Sequence, residues 1–301
     1  MSWKTIIIKD GEKVSLFLNN LVVESLQTKY HIPLDDINAI LFENYKTVIT
    51  NRIMNKLSEK KVLAIICDTN LKPVSLIQPI DAHHLQLKII NNQLNWKKED
   101  KLYLWTQIVK QKIEAQIDIL KLNFKNMSKI QLLYKYIDEL QYRDSTNREG
   151  HAAKVYFKEL FGNKFTRDQD NHINIALNFG YTIVRTAFIR AIISKGLHPS
   201  IALFHHNMYN AFALADDLME PFRPIVDNFV YKYVMQIDYF SRNHKLQIIN
   251  ILNCKVIYDN KKIFLTDAIT KYVEMVIEYF ENKNTLNIEY PISSSVEYYE
   301  L

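Results

Sequence analysis

Residues 171–195 read "NHINIALNFGYTIVRTAFIRAIISK", and this stretch decides the class of fold. Its apolar positions run almost all the way round a helical period, the pattern of a helix buried on every side. Asp170 or Asn171 is placed to cap its start, and Gly196 followed by Pro199 stops it. A buried helix needs other helices around it, and the neighbouring sequence supplies them. "DKLYLWTQIVKQKIEAQIDILKLN" (100–123) repeats Leu104, Ile108, Ile113, Ile117 and Leu120 at helical spacing, and "KIQLLYKYIDEL" (129–140) continues the pattern. "LTDAITKYVEMVIEYFENK" (265–283) predicts a last amphipathic helix with Thr266 as its cap.

Upstream the pattern changes. The first 75 or so residues hold short β-branched runs such as "WKTIIIK" (3–9), "KVSLFLN" (13–19), "INAILFEN" (37–44) and "KVLAIICD" (61–68). One helix interrupts them, from about Asn51 to Lys60, with Ile53, Met54 and Leu57 on one side. Pro79 and the polar "DAHH" after it read as a linker. The expectation is an α+β protein: a β-rich domain over 1–78, a linker over 79–90, and a larger all-α domain over 91–301.

Composition agrees with two domains, since 301 residues at 48% hydrophobic can bury a full core. No apolar run approaches the ~18–20 residues of a membrane span, and no leader pattern is expected at the start. Cys67 and Cys254 lie in apolar surroundings and read as reduced thiols of a cytoplasmic protein. The net charge of +5 permits a nucleic-acid partner, and residues 85–140 hold ten Lys against six acids. Only five glycines occur, and none forms a phosphate-cradling loop. The acidic end "NIEYPISSSVEYYEL" (287–301) is expected to be loosely held.

Chemistry concentrates in "FHHNMYNAFALADDLMEPFRP" (204–224). If this is helical from about Tyr209 to Met219, Asp216, Asp217 and Glu220 face similar directions, and Pro221 breaks the helix at Glu220. His205, or equally His206, could fold back beside them. An imidazole with one or two carboxylates suits Mn²⁺ or Mg²⁺, and Zn²⁺ less well. On spacing alone the plainer reading is stronger: solvated acids at a helix end, with Arg223 neutralising Glu220. A second stretch, "DSTNREGHAAKVYFKELFG" (144–162), has the spacing of a capping box in which Thr146 caps and Glu149 bonds back.

Together, "EGHAAKVYFKELFG" (149–162), "INIALNFGYTIVRTAFIRAIISKGLHPSIALFHH" (173–206) and "DLMEPFRPIVD" (217–227) resemble the CRISPR-associated adaptation integrase, the subunit that inserts new spacers. The resemblance implies that Glu149, His205 and Glu220 are catalytic and hold Mg or Mn, with Asp217 as a possible additional acid. It replaces the capping role for Glu149. The sequence departs from the family pattern at Pro221, at His198 and over "MYNAFA" (208–213), none of them a proposed ligand. The "NREGHAAK" context and the abundance of lysine look most like type II systems.

The implied reaction is a transesterification. A fragment's 3′-hydroxyl attacks a backbone phosphorus in the repeat and displaces another 3′-oxygen, so no energy source is required. With water as nucleophile the same site is an endonuclease. Lys154, Lys158, Arg167, Arg185, Arg190 and Arg223 are DNA-binding candidates. The resemblance further implies a homodimer through the β-rich domain, joined in a larger complex by a small ferredoxin-like adaptation subunit. Two other readings compete: a non-catalytic DNA-binding scaffold, and a structure-selective repair nuclease.

Overall fold

Near-continuous apolar runs such as "TIII" (5–8) and "INAILF" (37–42) suit strands covered on both faces, which favours parallel pairing. In the computed structural model, β1 (Lys4–Ile8), β5 (Ile37–Phe42) and β7 (Leu63–Cys67) do run parallel, with β8 (Pro73–Ile77) antiparallel at the edge. A second sheet has the order β4-β3-β2-β6, built from β2 (Lys13–Phe17), β3 (Asn20–Glu24), β4 (Lys29–Pro33) and β6 (Val48–Ile49). Helix α1 (Asn51–Glu59) buries Ile53 and Leu57 in a core shared with Val14, Leu21, Ile37 and Ile40. The sequence reading omits β4. Its "KYHIP" is mostly exposed at a sheet edge, so its apolar signal is weak.

The structure describes residues 4–10, 12–25, 28–60, 62–68, 73–77, 83–205, 207–282 and 288–298. The chain divides into two compact units, residues 1–86 and 87–301. Of the expected linker, residues 79–82 lie outside the described residues, and the stretch from residue 86 belongs to helix α2 (Gln86–Leu94).

The second unit is mostly helical. Two long buried helices, α3 (Lys98–Leu122) and α6 (His172–Ser194), organise it. Around them pack α4 (Met127–Asp138), α5 (Arg148–Phe161), α7 (Ala213–Leu218), α8 (Arg223–Tyr233), α9 (Arg242–Asn250) and α10 (Leu265–Glu281). Asn171 caps α6 by accepting from the Asn174 amide at 2.9 Å, and Gly196, at φ +80°, follows its end.

Three local expectations are corrected. The second unit is not wholly helical, because β9 (Lys255–Tyr258), β10 (Lys261–Phe264) and β11 (Ile292–Glu297) form a small antiparallel sheet. The acidic end is pinned as far as residue 298: β11 pairs with β9, and the Tyr298 hydroxyl donates to the Ile225 carbonyl at 2.6 Å. Thr266 lies inside α10, which starts one residue earlier with Phe264 at the cap position. Among the described residues no helix is long and apolar enough to cross a membrane.

Candidate active site

Helix α3 contributes what the sequence reading lacked. Trp105, Ile108 and Lys112 recur at helical spacing on its buried face, where Gln111 and Gln116 are buried as well. Lys112 Nζ lies 2.5 Å from Glu149 Oε1 and 2.5 Å from Glu220 Oε2. Two carboxylates remote in the chain thus meet on one buried ammonium. The signal was present in the sequence: a lysine and two glutamines within an otherwise apolar helix face.

Glu149 is aimed by the start of α5. Asp144, not Thr146, caps this helix: its carboxylate accepts from the Arg148 amide at 2.6 Å and the Glu149 amide at 3.0 Å. The preceding turn is strained, with Arg143, Asp144 and Asn147 all left-handed at φ between 52° and 57°. That leaves the Glu149 side chain for Lys112, which donates to it, so the capping box is not formed. Gly150 follows it, and the Asn147 side-chain amide packs against its open side. A Cβ there would come 2.7 Å from Asn147 Oδ1.

Glu220 sits where α7 ends and a short 3₁₀ turn, Glu220–Phe222, leads into α8. The break expected at Pro221 is present, although the helix before it is shorter than expected, starting at Ala213. Arg223 Nε lies 2.9 Å from Glu220 Oε1. Burial pushes the Glu220 carboxyl up, but Arg223 and Lys112 pull harder and hold it below the usual carboxylate range. Burial likewise opposes the charge on Lys112, and Glu220 and Glu149 overcome it, raising its pKa.

His205 precedes this helix and is fixed from three sides. Its Nδ1 lies 2.5 Å from Asp217 Oδ1, and its ring stands edge-on to Trp105 and Phe204. Asp217 is fully buried, and its other oxygen accepts from the amides of Leu203 and Phe204 at 2.8 and 2.9 Å. The hydrogen bond to Asp217 raises the His205 pKa, against burial and with help from the charges of Glu149 and Glu220. Nδ1 being committed, Nε2 is the nitrogen left for another partner. His206, the alternative imidazole, lies outside the described residues.

Glu149 and Glu220 are therefore brought together, with His205 near enough to sense both. Among the described residues, no three His, Cys, Asp or Glu side chains enclose a single metal-sized point, because Lys112 stands between the acids. The donor set nevertheless suits a hard divalent cation. Glu220 Oε2 is buried and touches Lys112 by charge without hydrogen-bond geometry, so it has lone pairs to offer.

Of the basic candidates, Arg167, Arg185 and Arg223 line one cavity, whereas Arg190 is not part of its lining. Burial lowers the Arg190 pKa, and the charge of Asp267 opposes it. Lys154 is exposed and Lys158 half-buried, both on α5.

A β-rich unit followed by a mostly helical one, with buried acids and an imidazole gathered in the latter, defines an α+β protein of two units. The chain belongs to the family described as CRISPR associated protein Cas1, whose model matches residues 5–248. The "CRISPR-associated endonuclease Cas1" of Neisseria meningitidis serogroup C (strain 8013) is 37% identical over 227 residues, covering 75% of this chain and 74% of that protein. Among solved structures, a "Casposase bound to integration product" matches with TM-score 0.77 at 20% identity, over 94% of this chain and 92% of that one. A "Cas6-RT-Cas1--Cas2 complex" matches with TM-score 0.71 at 18% identity, over 93% of this chain and 35% of that chain. At these identities the structural matches concern the fold.

Proposed function

We propose that this chain is a divalent-metal-dependent DNA integrase of CRISPR adaptation, with endonuclease activity at the same site. The observation that carries the reading is the meeting of Glu149 and Glu220 on one buried positive charge, with His205 beside them. The similarity to the Neisseria endonuclease and to the casposase bound to integration product supports it from outside.

Glu149, Glu220 and His205 Nε2 would hold Mg²⁺ or Mn²⁺. When bound, that ion supplies acidification of the attacking hydroxyl and stabilisation of charge on the phosphoryl oxygens. Asp217 accepts a hydrogen bond from Nδ1–H and so fixes the tautomer that leaves the Nε2 lone pair available. Arg223 and Lys112 keep the Glu220 carboxylate ionised in a buried setting where burial alone would favour protonation, and Lys112 also pairs with Glu149. Trp105 and Phe204 wall the imidazole and limit its rotation.

The fragment's 3′-hydroxyl attacks the repeat phosphorus and the target 3′-oxygen leaves, one phosphodiester bond forming as one breaks. The assembly that fits this role is a homodimer through the first unit, working with a small ferredoxin-like subunit. The presence of Cas2 beside Cas1 in the Cas6-RT-Cas1--Cas2 complex supports such a partner. A cytoplasmic location is part of the same proposal and fits two cysteines that are each buried, Cys67 in the first unit and Cys254 in the second.

Strand transfer of a short duplex into supercoiled plasmid with Mn²⁺ tests the reading. Glu149→Gln, His205→Ala and Glu220→Gln should each lower joining by about 100-fold or more. Unchanged joining in all three would contradict it. Hydrolysis without joining by the wild type would favour the repair-nuclease alternative.

A further inference from the structure

The terminal torsion of a glutamate is soft, so a carboxylate that offers one oxygen to a cation needs the other one held. In Glu220 the two oxygens differ in this way. Oε1 is paired with Arg223 Nε at 2.9 Å, whereas Oε2 is buried and receives no hydrogen bond. What keeps Arg223 on Oε1 is therefore part of how the site is aimed.

The Arg223 guanidinium lies over the Tyr181 ring, 4.7 Å from its centroid, and the same ring carries Arg167 at 5.3 Å. Tyr181 is buried, and its hydroxyl donates to Asp227, one helical turn after Arg223 on α8. The outer end of this row is anchored as well. Arg167 donates to Asn174 Oδ1 and, at 2.6 Å, to Asn178 Oδ1. Asn174 is buried, and its Nδ2 donates to the carbonyls of Thr166 and Gln169 at 2.9 and 2.8 Å. Contacts thus run without a gap from the loop before α6, through Arg167, Tyr181 and Arg223, to Glu220.

We infer that Tyr181 is a positioning residue for the cation site. Stacked on Arg223 and tied to Asp227, it holds the guanidinium against Glu220 Oε1 and reserves Oε2 for the divalent ion. Without the ring, Arg223 is free to turn onto Oε2 and compete there with the ion. Tyr181 acts through Arg223 and is not itself a ligand. The inference rests on the metal reading above.

The test is Mn²⁺ uptake by the full chain without DNA, read from the free-ion electron paramagnetic resonance signal below the melting transition of every variant. Tyr181→Leu removes the ring without changing charge and should weaken Mn²⁺ affinity several-fold, whereas Tyr181→Phe, which keeps the ring, should lose less. Arg167→Gln should also weaken it. Loss of a positive charge by itself favours cation uptake, so the expected sign is opposite to that of a charge effect. In an Arg223→Gln background, Tyr181→Leu should add less than about twofold, because the group it acts through is gone. Val276→Ala, a truncation of a fully buried side chain on α10, should lose stability and keep wild-type Mn²⁺ affinity.

Wild-type affinity in Tyr181→Leu, or unchanged or tighter uptake in Arg167→Gln, would overturn the inference and leave the cation site standing. The Arg167→Gln result decides alone if Tyr181→Leu does not fold. Equal weakening in Tyr181→Leu and Tyr181→Phe, or a full Tyr181→Leu effect in the Arg223→Gln background, would overturn the stack on Arg223. Equal weakening in Val276→Ala would assign the effect to general loosening and overturn it too. No Mn²⁺ uptake by the wild type would remove the metal reading and this inference together.

Discussion

Glu149 and Glu220 share the ammonium of Lys112, and each contact is 2.5 Å. Removing one partner of a buried ionic group leaves uncompensated charge, at a cost of about 3–5 kcal/mol. Lys112→Met should lose about that much stability in EDTA, and Mn²⁺ should then raise its melting temperature more than it raises that of the wild type. Equal stability in EDTA, or a smaller Mn²⁺ shift, would contradict the role given to Lys112.

A second residue-scale prediction concerns Asp227, which is buried and accepts a hydrogen bond from Tyr181. Burial raises its pKa to about 6, against the pull of Tyr181, Arg167, Tyr156 and Arg223. The folded protein therefore holds this proton more tightly than the unfolded chain, which releases it near pH 3.8. The stabilisation from this proton is full below pH 3.8 and is lost as pH rises through about 6. Denaturant titrations of the wild type and Asp227→Asn should show the variant gaining relative stability over that window, by on the order of 3 kcal/mol. A difference constant with pH would show that Asp227 does not titrate there.

At the scale of elements, α6 passes α8 so closely that a Cβ on Gly180 would overlap Val226. Gly180→Ala should destabilise the protein by about 1–3 kcal/mol in urea titrations, and adding Val226→Ala should recover part of the loss. A neutral Gly180→Ala would mean the crossing is looser than described. Asp144→Ala removes the α5 cap and should cost about 1 kcal/mol. A small effect of that variant on stability with no effect on joining would show that the cap does not aim Glu149.

Strong periodicities were legible in the sequence: α6, with its cap narrowed to Asp170 or Asn171, the α1 boundaries and most strands of the first unit. Edge strand β4 and the sheet formed by β9, β10 and β11 were not, because β4 and β10 are short and carry little buried apolar pattern, and β11 reaches β9 only across the whole of α10. Within the site, residue types and the Pro221 break could be read locally. Lys112 left a signal, a charge within an apolar helix face, but its role, like those of Trp105 and the Asp144 cap, depends on which helix face meets which acid.

For the whole molecule, the proposed assembly predicts a dimer in solution at micromolar concentration by light scattering, and a monomer would contradict it. The proposed chemistry requires Glu149, His205 and Glu220 to serve one cation. It is tested most directly by titrating Mn²⁺ into the protein and following the free-ion signal by electron paramagnetic resonance. One tight equivalent per chain is expected for the wild type, weakened at least tenfold in Glu149→Gln, His205→Ala and Glu220→Gln. Mn²⁺ uptake that is the same in the wild type and all three variants would contradict it.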